Sequence, residues 1–390
     1  MKHVMRNLVP AGVIAVCVFA GAAARADDDD RNNEGNRYIV TKLVSDIAAL
    51  GGGVIDPNLK NPWGVVFTPA VSPFWIADNA NGKSTLYDGD GVIVPLVVTI
   101  PCPPTAGQGS SCPQFSSPNG LVWNPTTSTT TGFLVPLTGK VAPFIFDSED
   151  GTISAWTGGL SPADNAVLAV NNSLTPNATL GAVYKGLAVG VNVNGVFLFA
   201  TNFRAGTVET YAPAPAGSTT GFYVQTSTDG GFTDPNIPAG YAPFGIQNIN
   251  GDLFVTYAKQ NGPKHDDVAG RGNGFVDVFD TDGHLLRRFA SRGTLNSPWG
   301  VARASFAFGR FSGKILVADF GDGKINVFES DGTFVDQLRD TDGKTIAIDG
   351  LWTLTLGGGA KSSSDTLYFT AGPNGQTDGL FGTITPASKN

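Results

Sequence analysis

Short apolar runs alternate along this chain with turns rich in glycine, aspartate and asparagine. In the most regular stretch, apolar residues dominate Lys314–Asp319 and Gly323–Phe328, and Ser330–Gly332 leads into a further run, Thr333–Arg339. Val, Ile and Phe are typical of strands, and Asp-Gly supplies the positive φ angles of a tight hairpin. With Trp299–Ala302 as the first run, the pattern predicts four consecutive antiparallel strands.

The same unit recurs along the whole chain. Six motifs that end in glycine mark its first strand, at Gly64, Gly120, Gly186, Gly245, Gly300 and Gly350. An all-β unit that repeats every 50 to 66 residues indicates a β-propeller. We therefore predict an all-β fold, a single six-bladed β-propeller made of four-stranded antiparallel blades.

The two ends of the repeat array complement each other. The sixth copy ends after Gly379–Ile384 without an outer strand, whereas Tyr38–Val44 is a spare strand before the first blade. Closure of the ring removes sheet edges that invite aggregation, so we predict that these two segments pair. The propeller is expected over residues 38–387, after an acidic, polar segment at 27–37 that is expected to be disordered.

The first 26 residues have the pattern of a secretory signal peptide. A basic start precedes the apolar stretch Leu8–Ala24, and the small-residue triplet Ala24–Ala26 is typical of a cleavage site. We expect the mature chain to begin at Asp27 and to be secreted or periplasmic. No later apolar run approaches the roughly 18 residues of a membrane span, so no membrane anchor is expected after cleavage.

The net charge limits the classes of partner that the protein is expected to bind. Cleavage takes away three basic residues and no acidic one, so the formal net charge of −8 becomes −11. Without clustered Lys and Arg, a nucleic-acid partner is disfavoured.

The two remaining cysteines, Cys102 and Cys112, flank a Gly/Pro/Ser loop, which favours a disulfide that would stabilise the fold by about 2.5–3 kcal/mol. A metal site there is the alternative, although no histidine lies nearby in sequence.

One long loop carries the candidate catalytic residues. In a propeller, the loops between blades and the loops between second and third strands share one face, called here the top face. The loop Lys259–Asn273 lies on that face and contains His265, Asp266 and Asp267. A histidine beside carboxylates suits a base or a metal ligand. A solvated loop whose aspartates cap a turn is the alternative interpretation.

A second set of candidates lies at the central channel. In each motif, the residue directly before the glycine is expected to face this channel. These six residues are Trp63, Asn119, Lys185, Phe244, Trp299 and Asp349. The channel should therefore be largely aromatic, with a mouth that suits a glycan or an apolar ring. The candidate ligand-binding residues are Trp63, Asn119, Lys185, Arg204, Trp299 and Asp349. Trp63 and Trp299 also fit a purely structural role in the core.

A cofactor is not required by these residues. If calcium binds, Asn119 and Asp349 are its candidate ligands, but the glutamates fall in the N-terminal tail, a turn and outer strands. After cleavage only His265 and His284 remain, so a three-histidine zinc site within one chain is excluded. The chain also lacks a Gly-x-Ser-x-Gly elbow and a dinucleotide fingerprint.

The stretch Leu316–Gly332 resembles the strand pair of NHL-repeat propellers. Asn61–Gly64 together with Lys264–Gly270 is similar to an uncharacterised family of exported bacterial propeller proteins, which brings no assigned activity. NHL-like propellers include ligand binders, protein binders, lyases and calcium-dependent lactonases, and these lactonases hold their metal with a glutamate in the channel.

The resemblance and the residues together give two hypotheses. The first is an exported propeller that binds an extracellular small molecule, glycan or protein through its top-face loops. The alternative is a hydrolase or lyase, lactonase-like, that uses His265 with Asp266 or Asp267, with calcium as an optional aid.

Overall fold

The computed structural model describes residues 35–69, 72–104, 115–162, 164–177, 179–215 and 222–387, and this part of the chain is nearly all β. Strands β1 (Tyr38–Ser45) and β2 (Val54–Ile55) precede the first blade. In each of blades one to five, four antiparallel strands follow one another in chain order from the channel outwards. The predicted all-β, six-bladed propeller is confirmed.

Blade one contains β3 Pro62–Val66, β4 Phe74–Asp78, β5 Lys83–Tyr87 and β6 Val98–Thr99, and blade two contains β7 Pro118–Trp123, β8 Phe144–Ser148, β9 Thr152–Trp156 and β10 Val167–Asn171. Blade three contains β11 Tyr184–Asn192, β12 Gly195–Asn202, β13 Thr207–Pro213 and β14 Tyr223–Thr226, and blade four contains β15 Tyr241–Ile249, β16 Asp252–Lys259, β17 Gly274–Phe279 and β18 Leu285–Ser291. Blade five contains β19 Pro298–Arg303, β20 Ile315–Asp319, β21 Ile325–Phe328 and β22 Phe334–Gln337. The sixth blade contains β23 Leu351–Leu356, β24 Leu367–Ala371 and β25 Leu380–Pro386. Short helical turns are found at Ala48–Leu50, Asn79–Asn81, Gly309–Phe311 and Pro373–Gln376.

Strand β1 closes the ring as predicted. It runs antiparallel to β25 from the pair Tyr38–Pro386 to the pair Ser45–Leu380, which makes it the fourth strand of the sixth blade. The short β2 adds a parallel edge to the same sheet. Seven of the eight residues of β1 pair with the seven residues of β25, and Leu43 lies in a bulge, so strand pairing between the two ends of the propeller sequence closes the ring.

Each innermost strand carries a β-bulge at its top-face end. In blade one, Pro62 pairs with Asp78 and Val65 pairs with Ile76, so Trp63 and Gly64 together oppose a single residue. The bulge presses the strand against the next blade, where a Cβ on Gly64 would lie 2.4 Å from the carbonyl oxygen of Asn119. This close approach explains why glycine marks the motif in the first five blades.

Apolar clusters fill the spaces between neighbouring blades. Leu316, Phe308 and Leu351 belong to the cluster between blades five and six, and Phe74, Tyr87 and Phe381 belong to the one between blades six and one. Similar clusters lie at the other blade junctions, and a further one occupies the channel. Burial of both faces of each sheet is the main stabilisation of such a toroid.

Several predictions concern residues outside the described ones: the signal peptide at 1–26, the mature terminus at Asp27, and Cys112, the expected disulfide partner of Cys102. Of segment 27–37, the structure describes Gly35–Arg37. There Asn36 Nδ2 donates to the carbonyl oxygen of Gln337 at 2.8 Å, and Asn36 Oδ1 accepts from the amide of Arg339 at 3.0 Å. None of the described helices has the length and apolar character needed to cross a membrane.

Candidate functional site

Aromatic rings fill the channel at the bulge positions. The indoles of Trp63 and Trp352 stack with centroids 3.4 Å apart, and Trp299 meets each of them edge-on at 5.9 Å. Phe244 packs against Trp63 at 6.5 Å, and Phe320 stacks on Trp352 at 3.9 Å. The aromatic channel predicted from the sequence is present, and its rings form a packed plug, so Trp63 and Trp299 serve as core residues.

The sixth channel position differs from the prediction. Leu351 pairs with Ala371 as Pro298 pairs with Asp319, so Trp352 is the counterpart of Trp299. Thr353 therefore stands where the other blades have glycine.

Asp349 lies outside the channel. It precedes the innermost strand of its blade, is exposed, and its Oδ2 accepts from the amide of Asn374 at 2.9 Å. Gly350, which marked this blade in the sequence, has φ +67° and belongs to the turn before the strand. A Cβ on Gly350 would lie 2.2 Å from the carbonyl oxygen of Gly372, so the turn, and not the bulge, requires glycine at this position.

Lys185 is the charged member of the channel ring. Its side chain is only 3% exposed, and its ammonium forms an ion pair with Glu149 and lies 3.5 Å from Asp266 Oδ1. The same ammonium is 5.3 Å from the centre of the Trp63 ring, within the range of a cation–π contact. Trp299 Nε1 donates to the backbone carbonyl of Lys185 at 2.8 Å, which holds this strand against the aromatic plug.

Glu149 was missed from the sequence as a site residue. It lies in the turn between β8 and β9, where its amide donates to the carbonyl oxygen of Ser117 at 3.0 Å. Its Oε2 accepts from Asn79 Nδ2 at 2.9 Å, and its Oε1 faces Lys185. Turns between second and third strands belong to the top face. Applied to the turn between β8 and β9, this rule would have placed Glu149 on the same face as His265.

The loop Lys259–Asn273 brings His265 and Asp266 to the same place. The amide of Asn261 donates to the carbonyl oxygen of Asp266 at 2.8 Å, and Asn261 Oδ1 accepts from the amide of His265 at 3.0 Å. His265 Nδ1 lies 2.7 Å from Asp266 Oδ1. The hydrogen bond from His265, aided by the charge of Lys185, lowers the pKa of Asp266 to about 2, so this carboxylate stays ionised at neutral pH.

Glu149, His265 and Asp266 form one cluster, named here the top cluster. One donor atom from each lies within 4.8 Å of the others, an arrangement that suits a metal ion. Asp267 is the neighbour of this cluster in sequence and is not one of its three members. Burial raises the pKa of Asp267, against the lowering effect of the charge on Lys185.

Asn119 and Arg204 are used within the fold. Asn119 is fully buried, its Nδ2 donates to the carbonyl oxygen of Tyr184 at 2.7 Å, and its Oδ1 accepts from the amide of Gly120 at 3.2 Å. Arg204 Nη1 donates to the carbonyl oxygen of Gly181 at 2.6 Å. The calcium pair considered from the sequence is not assembled, because Asn119 is enclosed while Asp349 is exposed outside the channel.

A chain of hydrogen bonds connects the plug to the top cluster. Trp352 Nε1 donates to Asn61 Oδ1 at 3.0 Å, and Asn61 Nδ2 donates to Asn79 Oδ1 at 3.1 Å. Asn79 in turn donates to Glu149. The sixth, first and second blades are thus joined through amide side chains that fix the orientation of the Glu149 carboxylate.

The solved structures similar to this chain have low sequence identity to it, and some of them are enzymes. Virginiamycin B lyase from Staphylococcus aureus is 14% identical, with a TM-score of 0.47 over 90% of this chain and 99% of that chain. An α-L-arabinofuranosidase from Fusarium graminearum is 12% identical, with a TM-score of 0.48 over 90% of this chain and 98% of that chain. No protein-family model matches the sequence.

Sequence relatives of this chain include proteins of Acanthamoeba polyphaga mimivirus. Uncharacterized protein R648 of Acanthamoeba polyphaga mimivirus is 32% identical over 333 residues, which cover 84% of this chain and 76% of R648. Uncharacterized protein L690 of the same virus is 30% identical over 334 residues, covering 84% of this chain and 81% of L690. The NHL-repeat and bacterial-family resemblances stay predictions. At this identity and coverage, the chain belongs to the same protein family as R648 and L690.

Proposed function

We propose that this protein is an exported binding propeller whose ligand rests on the top cluster. The observation that supports the proposal is the convergence of polar side chains from separate blades over the aromatic plug. Glu149 comes from blade two, Lys185 from blade three, and His265 with Asp266 from the long loop of blade four. Convergent polar groups beside an apolar base are typical of small-molecule sites.

The exposed atoms of this site favour a ligand that donates hydrogen bonds. Asp266 is 59% exposed, whereas the Lys185 ammonium beneath it is enclosed and already paired. A ligand that arrives from solvent therefore meets mainly carboxylate and imidazole acceptors. Hydroxyl groups of a carbohydrate match such acceptors, so a neutral glycan is the proposed ligand class.

Binding measurements test the proposal. Isothermal titration of the purified protein with a panel of neutral and acidic oligosaccharides should give binding to neutral members. Asp266→Asn should weaken that binding about tenfold or more, since hydrogen bonds to a charged group contribute roughly 1.5–3 kcal/mol. Asp365→Asn is the matched control, because Asp365 is an exposed acid in a loop on the opposite face. Absence of binding across the neutral panel, or equal binding by Asp266→Asn, contradicts the proposal.

A second candidate function is hydrolysis or elimination at the same place. His265 Nδ1 is engaged by Asp266, an arrangement that orients the ring and leaves Nε2 as the base. This pairing of a base with an orienting carboxylate supports the alternative of a hydrolase or lyase, lactonase-like, at this site. Hydrolysis of a panel of lactones by the purified protein tests it.

A further inference from the structure

The top cluster concentrates negative charge. Its two carboxylates, from Glu149 and Asp266, have oxygen atoms within 4.8 Å of each other and of a His265 ring nitrogen. The donor atoms around a bound Zn²⁺ lie about 2 Å from the ion and so about 3–4 Å apart, which is close to this arrangement. Two carboxylates at such a distance repel each other unless a cation compensates them.

The compensating cation comes from the protein itself. Lys185 Nζ pairs with Glu149 and lies 3.5 Å from Asp266 Oδ1, so one ammonium contacts both acidic members of the cluster. The ring of Trp63 supports it from another side, 5.3 Å from the nitrogen. An ammonium is a compact point charge, and with 3% exposure it gains little from water. It therefore holds the position where a metal ion would contact the same oxygens.

We propose that Lys185 is a built-in cation that takes the place of a divalent metal ion in the top cluster. The wild-type protein then binds no divalent ion at Glu149 and Asp266. Removal of the ammonium leaves a site of two carboxylates and one imidazole, which suits Mn²⁺ or Zn²⁺. This inference concerns the charge of the site and holds whether the top face binds a glycan or carries out catalysis.

Metal titration of the full mature chain tests this inference. Lys185→Met keeps an unbranched apolar stem over Trp63 and removes the charge. After dialysis against a chelator, each protein is titrated with Mn²⁺ and with Zn²⁺ by calorimetry. We expect Lys185→Met to bind one ion at least about tenfold more tightly than wild type, and the double variant Lys185→Met with His265→Ala to lose that gain. Lys185→Arg, which retains a cation, should behave like wild type.

Two results would overturn the inference. The first is stoichiometric metal binding by the wild-type protein that disappears in Glu149→Gln, because an ion and the ammonium would then share the cluster. The second is folded Lys185→Met that binds no ion more tightly than wild type. If Lys185→Met unfolds without metal, thermal unfolding with added Mn²⁺ decides: recovery of a cooperative transition supports the inference, and its absence counts against it.

Discussion

Trp63 and Trp352 stack at the centre of the ring with their centroids 3.4 Å apart, and this contact joins the first blade to the last. Both indoles are almost completely buried. Trp352 also stacks on Phe320 of blade five, so one residue links three blades. The plug therefore serves as a second closure of the propeller, in addition to the pairing of β1 with β25.

Trp352→Ala should lower the free energy of unfolding by about 3–5 kcal/mol, because the substitution opens a cavity that the surrounding rings fill only in part. Urea unfolding followed by circular dichroism measures the change. Phe306→Ala is the control, since Phe306 is 76% exposed and its loss should change stability by less than about 0.5 kcal/mol. A loss below about 1 kcal/mol in Trp352→Ala would show that the plug contributes little to the fold.

Val44→Asp should strongly destabilise the protein, because Val44 is fully buried where β1 pairs with Phe381 of β25. An unpaired charge at this place should cost about 3 kcal/mol or more, or prevent folding. Ile39→Asp is the matched control in the same strand, since Ile39 is 45% exposed. Equal thermal unfolding midpoints for the two variants would argue against ring closure by β1.

The sequence predicted the architecture because its signals are local and repeated. Strand pairs of β-branched and aromatic residues, Asp-Gly hairpins and the spacing of glycines all recur, so one misread blade does not change the fold. The partner of β1 was predictable because Tyr38–Val44 was a spare strand and the sixth copy, which ends after Gly379–Ile384, lacked an outer strand. Such complementarity needs no knowledge of three-dimensional contacts.

The candidate site was predicted less well because its members meet only in space. The sixth channel residue was assigned to Asp349 since Gly350 follows it, yet the bulge there uses Thr353, whose amide donates to Thr370 Oγ1 at 3.4 Å. Glu149 stands in a short turn that resembles any polar turn. Only the arrangement of blades brings it to Lys185 and Asp266, which are 36 and 117 residues away in sequence.

Asp147 occupies a position where three of the other blades have threonine and two have alanine. Thr201, Thr256 and Thr370 stand opposite the bulge of their own innermost strand, and Thr256 Oγ1 accepts from the amide of Gly245 at 2.8 Å. Asp147 Oδ1 accepts from the amide of Gly120 in the same way, whereas its Oδ2 has no hydrogen-bond partner among the described residues. Complete burial raises the pKa of Asp147 to about 7.

This position makes stability depend on pH. Between pH 4 and pH 7 the native protein holds a proton on Asp147 that the unfolded chain has released. The stabilisation that this bound proton gives at low pH is therefore lost as pH rises through about 7. Asp147→Thr supplies a hydroxyl that needs no proton uptake. It should be more stable than wild type at pH 8, by up to about 4 kcal/mol, with a smaller gain at pH 5.

Urea unfolding of Asp147→Thr and wild type at pH 5 and pH 8 checks this expectation. Asp365→Thr serves as the control, since this exposed acid should leave the pH dependence unchanged. A difference between Asp147→Thr and wild type that is the same at both pH values would mean that Asp147 is ionised throughout.

The exported protein should start at Asp27 and contain a disulfide between Cys102 and Cys112. Intact mass spectrometry of protein from the periplasm or the medium, with and without reduction before alkylation, checks both features. We expect alkylation of two thiols only after reduction. Retention of residues 1–26, or two thiols that react without reduction, would contradict the prediction of export and of the disulfide.

His265→Ala should lower the turnover of any substrate that the wild-type protein converts by on the order of a hundredfold or more, because a positioned base contributes at least that much. His284→Ala is a close control. In both residues Nδ1 lies near a carboxylate, Asp266 Oδ1 at 2.7 Å for His265 and Asp280 Oδ2 at 3.1 Å for His284, and both rings are partly exposed. His284, however, follows a hairpin on the face opposite the top cluster, so its loss should leave turnover unchanged.

Neither substitution should change the free energy of unfolding by more than about 0.5 kcal/mol, since both histidines lie outside the blade junctions. Thermal unfolding of the two variants separates a loss of activity from a loss of fold. Turnover that survives His265→Ala, or falls equally in His284→Ala, would rule out His265 as the base. The loop Lys259–Asn273 would then act through Asp266 as a binding element, and the binding proposal would be favoured over the enzymatic one.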